Sequence, residues 1–274
     1  MSLSKKIDFA VVFNVKNANP NGDPLNGNRP RITLDSHGEL SDVCLKRKIR
    51  NRLIELGHSV FVQSDDIRTD EYKSLRERAE AVLPSKGTKD ELSKLACEKW
   101  FDVRSFGQVF AFSGDKKGEG ISIGIRGPVT VQPAFSIEPV EITSTQITKS
   151  VNSEPSKKSE DGMSSDRMGM KHRVDYGIYT FFGSINPLLA AKTGFSDEDA
   201  NVVKAILPKL FENDASSARP EGSMNVMKVV WWEHSSKSGV ASSAKVHGSL
   251  KVAKDGSIEF TDLSSPKPEI IDGF

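Results

Sequence analysis

The sequence predicts an α+β fold in which two helices face an antiparallel sheet, the split βαβ arrangement of ferredoxin-like folds. Three observations support this prediction. Large apolar residues occupy every second position from Ile7 to Phe13, as in a strand with one buried face. Helical patterns follow at residues 42–56 and 196–210. Once insertions are removed, the order is strand, helix, strand, strand, helix, strand.

The first helix is amphipathic and basic, with Ser41 or Asp42 as its cap and Gly57 at its end. Its apolar stripe consists of Leu45, Ile49, Leu53 and Leu56. Its flanks carry Lys46, Arg47, Lys48, Arg50 and Arg52. Because no nearby acidic run offsets these cations, we expect local positive charge on a chain whose formal net charge is only +1.

Two further helices are predicted at Asp66–Leu83, which Pro84 ends, and at Thr88–Ala111. Thr88 and Glu91 have the spacing of a capping box. We interpret this block as a helical insertion into the sheet fold.

The middle of the chain is rich in strand patterns, which span Gly120–Val131, Ala134–Thr148 and Tyr176–Ile185. Residues 150–166 are almost all Ser, Lys, Glu, Asp and Gly and have no apolar periodicity. They predict a mobile loop or hairpin tip.

The second helix opens with Ser196 and Asp199, which again have capping-box spacing, and Pro208 must kink or end it. The last predicted elements are strands at Met224–Trp232 and Val246–Val252 and a hairpin from Asp255-Gly256 into Ile258–Phe260.

The composition is that of an ordinary globular protein, with 36% apolar and 27% charged residues. We expect one domain, residues 1–274, that carries insertions. The sequence shows no basic-then-apolar leader and no apolar stretch near the roughly 20 residues that a membrane span needs. Its two cysteines form no CxxC pair, which suits a reducing compartment. A soluble cytoplasmic protein is therefore expected.

The segment from Asn19 to Arg31, between the first strand and the basic helix, is rich in Asn, Gly and Pro. These residues favour an irregular backbone with exposed amides and positive-φ positions. Arg29 and Arg31 add charge at its end. Together with the basic helix, the segment predicts a cradle for a polyanion, most simply a phosphate backbone.

Three runs, at residues 17–24, 27–31 and 41–51, carry a family resemblance. Further runs follow in the family's order at residues 102–107, 125–129, 170–174, 176–179, 193–196 and 232–234. In these runs the chain resembles the backbone subunit of the type I-C CRISPR Cascade complex, a member of the repeat-associated RNA-binding superfamily. The resemblance spans nearly the whole chain.

The resemblance implies an RNA-recognition-type palm with a helical finger insertion at residues 58–118 and a β-hairpin thumb at residues 136–173. Several copies would coat a guide RNA as a helical filament and leave its bases free to pair with target DNA. The implied partners are the guide RNA, further copies, the repeat-handle-binding subunit, the large and small subunits and a recruited helicase-nuclease. The subunit itself would need no cofactor and would not catalyse.

Binding that ignores guide sequence requires contacts to phosphate and sugar. The candidate residues are Asn19, Asn21, Asn28, Arg29 and Arg31 in the loop, Lys46, Arg47 and Arg50 on the helix, Arg126, and Lys149, Arg167, Met168, Met170, Lys171 and His172 around the hairpin. A methionine there can wedge beside a base. Each group also has a structural interpretation: Asn makes turns, a basic helix flank is solvated surface, and Met packs against a neighbouring copy.

Enzymatic alternatives have weaker support. The five histidines show no metal-ligand spacing, and neither cysteine has a His partner signalled by the sequence, so we predict no catalytic or metal site. The main alternative is a metal-dependent endoribonuclease on the same fold that uses Asp23 or Asp35, although both residues also suit turn stabilisation. The third is a general single-strand-binding module.

Overall fold

The structure, a computed structural model, describes residues 2–84, 86–113, 120–148 and 168–274. The strands are β1 (Ile7–Ala18), β2 (Gly22–Asp23), β3 (Arg29–Pro30), β4 (His37–Leu40), β5 (Gly107–Ser113), β6 (Gly120–Arg126), β7 (Val129–Val131), β8 (Ala134–Pro139), β9 (Ile142–Thr148), β10 (Met168–Ile185), β11 (Met224–Glu233), β12 (Leu250–Val252), β13 (Ile258–Phe260) and β14 (Pro268–Asp272). The α-helices are α1 (Asp42–Glu55), α2 (Leu75–Glu80), α3 (Lys89–Lys99), α4 (Phe101–Phe106), α5 (Pro187–Thr193), α6 (Asp197–Ile206) and α7 (Ser243–Ser249). Short 3-10 helices span Pro24–Asn26, Asp65–Ile67 and Leu207–Lys209.

An eight-stranded antiparallel sheet organises the chain, with the order β14, β11, β1, β10, β8, β4. The long strand β10 also pairs with β7 and with β9. The central strand β1 pairs with β10 on one side and with β11 on the other. The prediction of a mixed α/β chain with a large antiparallel sheet is therefore confirmed.

Both faces of β1 are buried. Phe9 and Phe13 point into the main hydrophobic core, to which α1 and α6 contribute. Ala10 points to the opposite face, where it packs with Trp232 and with Val246 of α7. Each large side chain that is fully buried contributes about 1.5–3 kcal/mol, so the hydrophobic effect fixes this strand from two sides.

The ends of α1 and α6 follow their sequence signals. Ser41 caps α1 by accepting a backbone N–H of the first turn. Ser196 and Asp199 form a reciprocal capping box at the start of α6. That helix gives way to a 3-10 turn at Leu207–Lys209, because Pro208 lacks the N–H that an α-helix uses. These predictions are confirmed.

Two predicted helices of the insertion are wrong in extent. Within Asp66–Leu83, only α2 is α-helical. The next prediction, Thr88–Ala111, begins correctly, with the Thr88 capping box in place. It ends too late, because Gly107 has a φ of +80° and starts β5 instead. A turn-forming glycine thus outweighs the helical pattern around it.

The prediction of a strand over Val246–Val252 is wrong in its first half. Ser242 caps α7 there, and only the last three residues form β12. The hairpin into Ile258–Phe260 is confirmed by the pairing of β12 with β13. The sequence did not predict α5 or β14.

A second hydrophobic cluster forms within residues 61–125. The rings of Phe61, Trp100 and Phe110 pack together, with centroids 4.7–6.1 Å apart. This cluster combines residues of α2, α3, α4 and the β5–β6 hairpin with Phe61, Leu83 and Trp100 from the connecting segments, and it is distinct from the main core. An ion pair of 2.8 Å between Arg104 and Asp199 joins α4 to α6.

A buried ionic cluster lies at the start of β1. Oδ2 of Asp8 accepts a hydrogen bond from Nε2 of His234 at 2.8 Å and lies 3.2 Å from Nζ of Lys6. Burial alone would raise the pKa of this carboxyl. Hydrogen bonds from His247, Ser243 and His234 act in the opposite direction and outweigh burial, so the pKa lies below its ordinary value.

We expect Asp8→Asn to lower the free energy of unfolding by about 3–5 kcal/mol at pH 7, because it breaks a buried ion-paired cluster. Since the folded pKa is depressed, the carboxylate stabilises the fold above the ordinary Asp pKa of about 3.9, and this contribution is lost as the pH falls below that value. Urea unfolding at a series of pH values should therefore show a difference between the two proteins that shrinks in acid.

The control is Asp262→Asn, since Asp262 is exposed and has no ionic partner among the described residues. It should change the free energy of unfolding by less than about 0.5 kcal/mol at every pH. A difference for Asp8→Asn that stays constant or widens in acid would contradict the assignment.

Candidate nucleic-acid interface

A groove of about 260 Å³ lies at the C-terminal end of β1, beside the start of β10. Its lining residues are Asn19, Gly27, Asn28, Ile147, Met170, Lys171, His172, Ser217 and Ala218. We call it the loop–hairpin groove, because it joins the Asn-rich loop after β1 to the β9–β10 hairpin. The pairing of Ala18 with Val174 brings these two segments together. Five of the residues predicted from the sequence therefore share one site.

Asparagine residues shape the loop side of the groove. Asn17 and Asn28 adopt positive φ angles of 52° and 59°, which Asn tolerates better than most residues. The side chain of Asn19 is buried, and its Nδ2 donates to the carbonyl of Asn28 at 2.6 Å. Its Oδ1 has no hydrogen-bond partner among the described residues. A buried acceptor without a partner is costly, and because Asn19 is buried a ligand in the groove does not reach this atom.

Asn21 has a different role from its neighbours. Its Oδ1 accepts from the backbone N–H of Ser41 at 2.9 Å and lies 3.1 Å from the Ser41 hydroxyl. This side chain therefore anchors the loop on the first turn of α1. The RNA contact predicted for Asn21 stays a prediction, but its acceptor atom is already occupied within the protein.

The hairpin wall is connected to the loop through one hydroxyl. Oγ of Ser144 on β9 accepts from Nη1 of Arg29 at 2.9 Å and lies 2.8 Å from Nδ1 of His172. Arg29 thus links the loop to the hairpin, and His172 is held on the same link. These two predicted residues fix the distance between the walls of the groove.

The hairpin contributes both apolar and cationic residues to the groove, but Met170 and Lys171 are consecutive on β10, so their side chains leave opposite faces of the strand. Met170 and Ile147 are each about half exposed. Lys171 is exposed and has no ionic partner within the described parts of the chain. A groove with exposed apolar side chains, amides and an available ammonium suits a ligand that has flat apolar groups as well as negative charge.

A third wall was not predicted from the sequence. Ser217 and Ala218 line the groove, and the carbonyl of Ala218 accepts from the backbone N–H of Asn19 at 2.8 Å. This segment precedes β11, which is the neighbour of β1 in the sheet. Only the strand order, which the local sequence does not encode, could have placed it here.

The expectation of local positive charge along α1, based on the lack of a nearby acidic run, is wrong, because the fold pairs each of the five cations with a carboxylate. Carboxylates from distant parts of the chain reach the helix, and two more lie on the helix itself. The ion pairs are Lys46–Asp42 at 2.9 Å, Arg47–Asp66 at 3.9 Å, Lys48–Asp214, Arg50–Asp102 at 2.8 Å and Arg52–Glu55. Folding therefore neutralises charge that looks unopposed in the sequence.

Arg50 shows this most clearly. Its Nε donates to Asp102, and its guanidinium lies over the ring of Phe106, 5.2 Å from the centroid. Only 12% of the side chain is exposed. Arg50 thus holds α1 against α4, and its predicted RNA contact loses geometric support. Lys46 and Arg47 remain more exposed, but neither lines the loop–hairpin groove.

The other predicted residues lie around the groove or away from it. Arg31 is 3.4 Å from Asp23. Met168 is exposed on β10, two residues before Met170. Arg126 is exposed at the end of β6, outside the groove. Two predicted cations lie outside the described residues: Lys149 and Arg167.

The alternative catalytic residues have structural roles or stand alone. Asp23 accepts the backbone N–H of Leu25 at 3.2 Å, which caps the short helix that follows. Asp35 is exposed. In the parts of the chain that the structure describes, no three His, Cys, Asp or Glu side chains are grouped to hold a metal ion.

Burial raises the pKa of the Cys97 thiol to about 11. None of the described helices is long and apolar enough to cross a membrane.

Comparison with known proteins gives a consistent family. The family described as "CRISPR-associated protein Cas7" matches residues 5–268. A curated protein of Haloferax volcanii, "CRISPR-associated protein Cas7", is 26% identical over 235 residues, which are 79% of this chain and 67% of that protein.

Two solved structures have chains of similar shape. One is titled "CRISPR RNA-guided surveillance complex, pre-nicking", with a TM-score of 0.49, 15% identity, and coverage of 82% of this chain and 77% of that chain. The other, "Cryo-EM structure of the Type III-B Cmr-beta bound to cognate target RNA", has a TM-score of 0.44 and 10% identity, and covers 82% of this chain and 60% of that chain.

We expect Arg50→Ala to lower the free energy of unfolding by about 3 kcal/mol, because it leaves the buried carboxylate of Asp102 without its ionic partner. This loss of stability should lie at the low end of the range for broken buried ion pairs, because Asp102 still accepts hydrogen bonds from two backbone N–H groups. Chemical denaturation measures this change. The control Arg47→Ala, at a side chain 52% exposed, should cost less than about 0.5 kcal/mol. Equal losses for the two variants would show that the Asp102 contact has no special weight.

Proposed function

The chain belongs to the Cas7 family of CRISPR-associated proteins, and from this premise we propose that it is the non-catalytic subunit that coats the guide RNA in a type I-C Cascade complex. The observation that carries the proposal is the loop–hairpin groove, which gathers Asn19, Asn28, Met170, Lys171 and His172. The type I-C assignment is supported by the sequence runs at residues 17–24, 27–31 and 41–51.

In this proposal the sheet is a ferredoxin-like, RNA-recognition-type palm. Its support is the order β11, β1, β10, β8 with α1 and α6 in the connections. The finger is the cluster of α2, α3, α4 and the β5–β6 hairpin, which has its own hydrophobic core. The thumb is the β9–β10 hairpin, whose two strands pair from Ile142–Val174 to Thr148–Met168.

The groove chemistry suits binding that ignores base sequence. The exposed thioether of Met170 would lie against the face of a base, and Lys171, whose side chain leaves the other face of β10, would pair with a phosphate. Base edges would then remain free to pair with a target strand.

Further copies of the chain would line up along the same RNA as a filament. The proposed partners are the repeat-handle-binding subunit, the large and small subunits and a separately recruited helicase-nuclease, all in the cytoplasm. Cleavage of target DNA would belong to that nuclease. A role without catalysis is supported by Asp23, whose carboxylate is used for a turn and for the ion pair with Arg31.

We expect Lys171→Glu to weaken binding to single-stranded RNA about tenfold or more at low salt, because a phosphate then meets a carboxylate. Fluorescence anisotropy over a range of salt concentrations measures it, and the slope of log affinity against log salt should become shallower by about one unit.

The matched control is Lys237→Glu. Lys237 is exposed in the loop after β11, next to the start of β1 and thus at the opposite end of the sheet from the groove. The substitution Lys237→Glu changes the net charge by the same amount as Lys171→Glu, and it should leave the affinity for RNA within about twofold of the wild type. If both variants lose affinity equally, the effect is one of net charge and the groove assignment fails.

The non-catalytic proposal predicts that purified protein leaves labelled RNA intact in Mg²⁺ during an incubation in which a ribonuclease control degrades it. Gel analysis of the labelled RNA measures this. Cutting that depends on metal and disappears in Asp23→Ala or Asp35→Ala would establish the ribonuclease alternative instead.

A further inference from the structure

Leu34 is a fully exposed leucine on a hydrogen-bonded turn. Its side chain has a relative exposure of 105%. The turn is closed by hydrogen bonds from Ser36 N–H and His37 N–H to Thr33, at 3.1 Å each. The carbonyl of Ser36 also accepts from the backbone N–H of Val140 at 2.9 Å, which ties the turn to the end of β8. Because the backbone that carries Leu34 is already held by these hydrogen bonds, binding through this side chain would require little further ordering of the chain.

A shallow apolar groove of about 420 Å³ lies on the opposite edge of the sheet, between α6 and β14. We call it the edge groove. Its apolar walls are Ala205, Pro208, Ile271 and Phe274, of which Phe274 is 74% exposed. Its volume is in the range of sites that hold small apolar groups.

The Leu34 turn and the edge groove lie on opposite edges of the sheet, at a similar level along the strand direction. One row of paired residues crosses the sheet: Asp272, Lys228, Val12, Thr180, Phe135 and Glu39. On β14 the chain continues from Asp272 to Phe274, which lines the edge groove. On β4 the Leu34 turn lies before Glu39. Because β14 and β4 run in opposite directions across this row, both features lie on the same side of it.

The two features also carry opposite charges, beside the edge groove's own carboxylate, Asp272, which is paired with Lys228. Asp35, next to Leu34, is exposed and has no ionic partner among the described residues. Lys209, at the rim of the edge groove, is exposed; its ammonium lies 4.3 Å from the centroid of the Phe274 ring and no carboxylate in the described parts of the chain pairs with it. A carboxylate that approaches with Leu34 would meet this ammonium.

We propose that the edge groove of one copy receives Leu34 of the next copy, with Asp35 of the entering turn paired to Lys209. Since the two features lie on opposite edges, the contact is heterologous and adds copies in one direction without closing a dimer. This inference rests on the proposed function, because bound RNA aligns the copies that make the contact.

The test uses the full chain, a synthetic single-stranded RNA that can hold one copy, and another that can hold several. Leu34→Glu should bind the short RNA with wild-type affinity and assemble on the long RNA about tenfold more weakly, the loss typical of removing an apolar anchor. Anisotropy measures the first property and mass photometry the second. The matched control is Leu188→Glu, at another exposed leucine, on α5, which should assemble as the wild type does.

A charge exchange tests the pairing itself. Asp35→Lys and Lys209→Asp should each weaken assembly on the long RNA, and the double variant should recover most of it, because every contact then carries the reversed pair. Wild-type assembly by Leu34→Glu, or no recovery in the double variant, overturns the inference. Failure of the wild-type chain to bind the short RNA would instead contradict the proposed function, so the two failures can be distinguished.

Discussion

The burial of β1 on both faces and its pairing on both edges is the constraint on which the rest of the structure depends. Phe13 fixes one face and Ala10 the other, so the strand has a single register between β10 and β11. That register decides where the chain emerges at Ala18. The Asn-rich loop therefore meets the base of the β9–β10 hairpin and the segment before β11, and the loop–hairpin groove is a consequence of strand order.

The electrostatics of the site are modest, because the fold uses its acidic residues to neutralise the helix that looks most basic. Lys48 and Arg50 are held by Asp214 and Asp102, and both cations are largely buried. At the groove, Lys171 carries a positive charge that no carboxylate among the described residues pairs with. Recognition of RNA would then depend on shape, amides and a few ammonium groups, with affinity gained from many copies along one strand.

The sequence predicted those features whose signals are local. The strand β1, the Ser41 cap and the Ser196–Asp199 capping box each depend on residues close in sequence, and each is confirmed. The period-two pattern predicted one buried face for β1, which is wrong, because both faces are buried. Features set by distant contacts were missed. Asp102 lies far along the chain from Arg50, so no spacing rule could reveal their ion pair. The same holds for Ser217, which reaches the groove only because β11 is a neighbour of β1.

The most direct test of the central claim is photo-crosslinking of the chain to a guide RNA, followed by mass spectrometry of the crosslinked peptides. Our account predicts crosslinks concentrated on the loop after β1, on residues 168–172 and on the segment at Ser217. Crosslinks confined to the opposite end of the sheet, around Asp8 and His234, would contradict it.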